Sequence, residues 1–428
     1  MKKKYNNNSF KWLENAKIYQ VLIDRFAGCK EKYTIDNLKY NFINGNIRAL
    51  MTKLDYIKNL NFNMIYLTPF FVNHQNGYHG YHAINFNHVD PRFAFGEKVL
   101  DNNIGNIFDP NDIKIETSSD LLLKQFIGEC HKKNLFVMMD VVPNHVHKEH
   151  PFFLDALKNK NSKYRDWFYF LENPKNKYVP YLCFLSYGDL PKLNLDNEDC
   201  FNHVINSTKK FLSYGIDCIR MDHCIGPKLS TLKKFVDCIH KEYPDVPIIG
   251  ECNTFELENE YQSIFGVKIE NLQLTNKINI NTIKNLDDIF LTYINILDGV
   301  IDFSFQTLVG MFAEGNLTEN ECIKGIEKHF EKFENFPNFF LIKNVDSHDN
   351  DRIVFKCKNK INIFKKAINL LFRKYNGRND PLLFYYGTED FMTQEKNIKQ
   401  EPYGDYQCRK PMEFCMQWMK TFFKEKNE

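Results

Sequence analysis

Eight short strand-like runs, apolar at most positions, punctuate the chain, at 17–24, 63–68, 135–142, 216–222, 247–251, 299–305, 339–345 and 382–386. Continuous apolarity, as opposed to alternation, marks a strand buried on both faces, as in a parallel sheet covered by helices. Several stretches between the runs repeat apolar positions at helical spacing: 47, 50, 54 and 57 within 47–60, with similar patterns at 118–132 and 201–213. Strands alternating with amphipathic helices predict a parallel sheet, and eight of them predict closure into an α/β fold of the TIM (β/α)8 barrel type.

Four of the runs end in ionisable residues. They lead into Asp140-Val141-Val142-Pro143-Asn144-His145, Arg220-Met221-Asp222, Gly250-Glu251 and Ser347-His348-Asp349. In a barrel the strands fill a dry core and their C-terminal ends converge on one mouth, so these polar ends are the candidate site. Two connections, roughly 71–118 and 146–193, are too long for simple barrel loops. The chain therefore divides into a first barrel part at 1–145 (strands one to three), a small inserted domain at 146–193 and a second barrel part at 194–428. The insert is rich in aromatics, among them Trp167, Phe168, Tyr169, Phe170, Tyr178, Tyr181, Phe184 and Tyr187. Most of these rings are expected in a small satellite core, with one or two left for a ligand.

Composition narrows the function. With 56 basic and 54 acidic residues the net charge is +2, which gives no electrostatic reason to expect nucleic acid or an anionic membrane as partner. The basic start Met1-Lys2-Lys3-Lys4 is followed by Phe10-Lys11-Trp12-Leu13-Glu14 and not by an apolar stretch, so it does not read as a secretory signal. No run is long enough to span a membrane. Twelve cysteines without a Cys-x-x-Cys pair read as reduced, buried thiols, and a cytoplasmic location is expected.

Several carboxylates, histidines and an arginine converging on one mouth, without a nucleotide or metal motif, point to glycosidic bond chemistry. At this point the chain resembles the α-amylase family of glycoside hydrolases and transglycosidases. The resemblance runs from Ile18-Tyr19-Gln20-Val21-Leu22-Ile23-Asp24-Arg25-Phe26 to Phe384-Tyr385-Tyr386-Gly387-Thr388-Glu389, with Pro191-Lys192-Leu193-Asn194 matching the motif that closes the family's inserted domain. It implies that Asp222 is the nucleophile, Glu251 the acid/base and Asp349 the third carboxylate, which grips sugar hydroxyls. A retaining mechanism needs such a pair, one ionised and one protonated. Arg220, on the same strand face as Asp222, is suited to hold that carboxylate ionised and aimed. The resemblance further implies that His145, His348 and Arg352 contact substrate and that Tyr81 forms an aromatic platform beneath a sugar. Asp140 reads as structural, and Cys252 as core.

The resemblance implies no cofactor for the chemistry and at most one structural calcium, with Asn144 as a ligand and Asp155 and Asp166 as carboxylates within the insert. The family's calcium loop near the first strand is missing from 27–32, and His223-Cys224-Ile225-Gly226-Pro227 lacks the Lys-His pair that many relatives carry after the nucleophile. About 40 residues follow the last strand, enough for a final helix at 416–423 but not for a C-terminal β-sandwich. The expected activity is retaining hydrolysis of α-glucosidic bonds in maltodextrin-type oligosaccharides. The alternatives are an α-glucan transglycosidase using the same residues and a non-catalytic glucan-binding homologue.

Overall fold

The eight apolar runs form eight parallel strands that close into a barrel in the computed structural model of the chain, which describes residues 10–96, 109, 111–170, 179–185, 187–253, 280–415, 421–422 and 425. The barrel strands are β1 (Lys17–Val21), β2 (Met64–Leu67), β5 (Phe136–Val141), β6 (Cys218–Met221), β7 (Ile248–Gly250), β8 (Gly299–Asp302), β9 (Phe340–Lys343) and β10 (Leu382–Tyr385). They neighbour one another in chain order, and β10 closes on β1 with Tyr19 opposite Phe384. Nearly every residue in them is buried, as continuous apolarity requires. The final helix expected at 416–423 falls largely outside the described residues.

The strands are shorter than the apolar runs because their polar ends have other work. β8 stops at Asp302, whose carboxylate accepts the Phe305 N–H at 2.8 Å and caps the helix Phe303–Glu314. The run 17–24 likewise ends at Val21, and a short helix, Ile23–Phe26, follows. The segment 47–60 forms two helices, Ile47–Met51 and Leu54–Asn59. The break falls at Thr52, whose hydroxyl donates to the Ala49 carbonyl and competes with the helical ladder. By contrast Ser118–Lys132 forms as one helix behind a capping box between Thr117 and Asp120.

The first long connection carries an antiparallel hairpin, β3 (Phe71–Asn73) and β4 (Ala83–Val89), whose tip holds Tyr81. The second begins with the helix Pro151–Lys158 and returns through isolated bridges, Phe170 to Tyr181, Cys183 to Pro191 and His145 to Lys192. Phe152, Phe153, Trp167, Phe168 and Tyr181 are buried, but they join the barrel's own apolar cluster in place of a satellite core. The reason is direct packing on a barrel helix: Phe152 and Trp167 both lie 5.4 Å, between ring centroids, from His203 on Glu198–Leu212. Tyr178 lies outside the described residues. All twelve cysteines are free thiols, and only Cys415 is exposed. Among the described residues no helix is long and apolar enough to cross a membrane.

Behind the barrel a buried ion cluster joins three elements. His329 Nδ1 lies 2.7 Å from Asp287 Oδ1 and its Nε2 lies 2.9 Å from Asp302 Oδ2. Burial opposes a charge on this imidazole, but Asp302 and Asp287 outweigh it and push it up to about 10. A histidine raised in the folded state contributes stability that is fully present below its ordinary value and is lost as pH rises through the folded one. His329→Leu is expected to cost about 3–5 kcal/mol, because it leaves the buried Asp302 without its cation, while Asp287 keeps Lys332. Urea unfolding at pH 7 checks this, and a loss under about 1 kcal/mol would mean that the cluster is not an ion pair.

Candidate active site

The barrel register sets the geometry of the mouth. Asp140, near the end of β5, stands opposite Arg220, near the end of β6, and both point into the barrel. Arg220 Nη1 donates to Asp140 Oδ1 at 2.8 Å, to Asp140 Oδ2 at 2.9 Å and to Asp222 Oδ1 at 2.8 Å. Its Nη2 lies 2.8 Å from Glu251 Oε2. One buried guanidinium thus bridges three carboxylates from three successive strands. The planar fork of arginine fixes all of them at once, which a lysine could not do.

Asp222 and Glu251 are both 7% exposed, so little water reaches them. The second oxygen of Asp222, Oδ2, is buried and has no hydrogen-bond partner. Burial pushes the Asp222 carboxyl well up; Arg220 opposes this, while Glu251 and Asp140 add to it. Three carboxylates around one guanidinium carry an excess of negative charge, which favours keeping a proton in the cluster. His223, next in the chain, adopts a left-handed φ of 42° and its N–H donates to Glu251 Oε2 at 3.0 Å. Such strain in a non-glycine residue persists only where the surroundings impose it. Cys252 turns away from the mouth into the core, as expected, with its Sγ 2.9 Å from Cys224 Sγ.

The third carboxylate closes the ring from the opposite wall. Asp349 Oδ2 lies 2.8 Å from His348 Nε2, and Asp349 Oδ1 accepts from Arg409 Nη2 at 2.7 Å. Burial pushes this carboxyl up, but His348 and Arg409 outweigh it and hold it well below the usual range. The side chain is 39% exposed, and both partners are donors in direct contact with it. His348 Nδ1 accepts from Gln20 Nε2 at 2.7 Å, which leaves the proton on Nε2. The Tyr81 ring lies parallel to His348, 5.4 Å between centroids, and its hydroxyl donates to Asp140 Oδ2 at 2.7 Å. The expected residues Tyr81, Arg220, Asp222, Glu251, His348 and Asp349 therefore form one connected network.

His145 and Arg352 stand apart from it. Burial pushes His145 down to about 3, and its Nε2 faces the Tyr81 carbonyl at 3.3 Å, so it is a neutral ring beside the network. Arg352 is turned beneath the mouth. Its Nε donates to the Cys408 carbonyl at 3.0 Å, its Nη1 to the Tyr386 carbonyl, and its guanidinium lies 4.2 Å from the Tyr385 ring. From the insert, Phe184 packs on both His145 and His223 at 4.7 Å and stacks with the exposed Tyr187. Among the described residues of the insert, these two rings lie beside the mouth.

Sequence reasoning passed over Gln20 and Arg409. Gln20 sits inside an apolar strand, where one amide among hydrophobic neighbours is a weak signal. Arg409 lies 60 residues from Asp349, in a segment without strand or helix periodicity.

The residues around Asn144 do not fit a calcium. The ammonium of Lys192 donates to Asn144 Oδ1 and, at 3.0 Å, to the Gly226 carbonyl. The amide oxygen that would coordinate a cation already receives an N–H. Asp155 accepts from the Ser162 hydroxyl, and Asp166 is engaged through its carbonyl by Asn194. Calcium takes six to eight oxygens, commonly with carboxylates among them, and the Lys192 nitrogen already fills the position facing the Asn144 and Gly226 oxygens.

The family profile described as the alpha amylase catalytic domain matches residues 20–422. Alpha-amylase 2 of Dictyoglomus thermophilum is 30% identical over 376 residues, which cover 86% of this chain and 55% of that protein. The intracellular maltogenic amylase of Bacillus subtilis is 24% identical over 424 residues, 96% of this chain and 59% of that one. The chain spans a little over half the length of these curated relatives. Among solved structures, a cyclomaltodextrinase superposes with a TM-score of 0.73 at 21% identity, covering 97% of this chain and 63% of that one. The ligand-free cyclic α-maltosyl-(1→6)-maltose hydrolase from Arthrobacter globiformis gives 0.71 at 18% identity, covering 97% and 82%. At such identities the structural likeness is one of fold.

Proposed function

The chain belongs to the α-amylase family, and from that premise we propose that it hydrolyses α-glucosidic bonds of maltodextrin-type oligosaccharides by retaining double displacement. The observation that carries the reading is the arrangement around Arg220. Its guanidinium holds Asp222 through Oδ1 and leaves the buried Oδ2 without a protein partner, which is how a carboxylate is presented to an electrophilic carbon.

In the first step Asp222 Oδ2 attacks the anomeric carbon as the glycosidic C–O bond breaks, and Glu251 gives its proton to the leaving oxygen. In the second, Glu251 takes a proton from water, the water oxygen bonds to the anomeric carbon, and Asp222 is released as carboxylate. Arg220 stays charged throughout and offsets the charge that moves between the two carboxyls. Asp349, kept ionised by His348 and Arg409, is placed to accept hydroxyls of the same sugar, with the Tyr81 ring against its apolar face. The coupled carboxyl pair should give a bell-shaped pH dependence, with the two limbs belonging to the pair and not to either residue alone.

The names of the relatives, alpha-amylase, maltogenic amylase and cyclomaltodextrinase, support an α-glucan substrate. Proton NMR of the first-formed product from maltotriose tests the mechanism: the α-anomer is expected, and initial β-anomer or no turnover would overturn it. Chromatography of the same digest separates water from sugar as acceptor, since only transfer yields oligosaccharides longer than the substrate.

A further inference from the structure

We propose that the tethered amino group of Lys192 takes the place of a divalent ion, pinning the inserted segment to the barrel and to the loop behind Asp222 without calcium. Three separate stretches meet at its ammonium. Asn144 offers its side-chain oxygen from the end of β5, Gly226 offers its carbonyl from the loop after β6, and Lys192 itself comes from the returning end of the insert, bridged to His145. An interfacial metal ion does the same topological work, gathering oxygens from segments far apart in sequence. Here the bridging group is carried on the chain, and its ordering is accomplished by folding and not by binding.

The donor set suits an ammonium. It offers three N–H groups and is satisfied by a few neutral oxygens, whereas calcium needs more ligands and, for tight binding, negative ones. Lys192 is 1% exposed, so its contacts are made without competing water. Burial pushes the amine down to about 7 against the pull of Asp196, and both contacts are N–H donations that a neutral amine also makes. The site is also built to close. A Cβ on Gly226 would lie 2.1 Å from Asn144 Oδ1 and 2.8 Å from the His223 ring, so only glycine lets this loop approach the amide. The same loop begins with Asp222 and His223, whose N–H holds Glu251. Lys192 is thus a positioning residue for the mouth, and the inference holds whatever bond the mouth cleaves.

The full chain tests this by thermal unfolding with excess EGTA and with millimolar calcium, alongside elemental analysis of the purified protein. The wild-type Tm is expected to be the same in both, with no stoichiometric calcium. Lys192→Asp removes the amino group and adds a carboxylate beside Asn144 and Gly226. Its Tm is expected to lie below the wild type in EGTA and to rise by several degrees with calcium. A lysine serving only as packing would give no such metal response. Should Lys192→Asp fail to fold, Lys192→Glu carries the same calcium titration. The proposal is overturned by a wild-type Tm that falls on chelation, by stoichiometric calcium in the wild-type protein, or by variants whose Tm ignores calcium.

Discussion

Asp222→Asn is expected to lower kcat on maltooligosaccharides by about 10⁴-fold or more while leaving the melting temperature equal to or above that of the wild type at pH 7. The two halves of this expectation have separate causes. An amide cannot form the glycosyl ester, so no first half-reaction remains. The stability half follows from linkage. Burial, together with Glu251 and Asp140, raises the Asp222 carboxyl against the pull of Arg220. A carboxyl raised in the folded state costs stability once pH exceeds its ordinary value, because the folded protein then prefers the proton that the unfolded chain releases. A neutral amide of the same shape removes that cost, as groups retained for chemistry often carry one. Steady-state kinetics and calorimetry on the same preparation check both halves. Loss of turnover together with a lowered Tm would assign Asp222 to holding the barrel mouth together.

Glu251→Gln should split substrates by their leaving groups. For maltooligosaccharides, whose leaving alkoxide must be protonated as it departs, kcat/KM is expected to fall by about 10²–10⁴-fold. For α-glucosyl fluoride or a nitrophenyl glucoside, which leave without a proton, kcat/KM should stay within about tenfold of the wild type, since it reports only the first half-reaction. The amide oxygen introduced by this substitution can still accept the His223 N–H that now reaches Glu251 Oε2, so the loop geometry should survive. Equal losses on both substrate classes would remove Glu251 from the role of acid.

What the sequence made legible follows from what burial demands. Strands covered on both faces must be apolar throughout, so all eight were readable, and their ionisable ends marked the mouth before any contact was known. The ends of elements were less readable. The 299–305 run overshot because Asp302 is spent on capping a helix, and 47–60 broke at a threonine that bonds its own backbone. Within the site, strand-end residues came together as expected, because a barrel's topology alone gathers them. Arg352 shows the limit of spacing. Three residues beyond Asp349 it is near in sequence, but a helix beginning at Ile353 turns its guanidinium under the mouth onto the Cys408 and Tyr386 carbonyls. Arg409 shows the converse, a long-range partner with no local pattern to announce it. Lys192 was visible only as one letter of a motif. That its ammonium would meet Asn144 depends on how the insert returns to the barrel, which periodicity does not encode.

The central claim is that Asp222 bonds covalently to the sugar, and trapping that bond tests it most directly. Incubation with a fluorinated α-glucosyl fluoride slows the second half-reaction more than the first and lets the intermediate accumulate. Proteolysis and mass spectrometry should then find one added glycosyl group, on the peptide containing Arg220-Met221-Asp222, with fragmentation placing it on Asp222. A label on Glu251, Asp349 or any other carboxylate, or turnover of the probe with no covalent species at any time, would contradict the account.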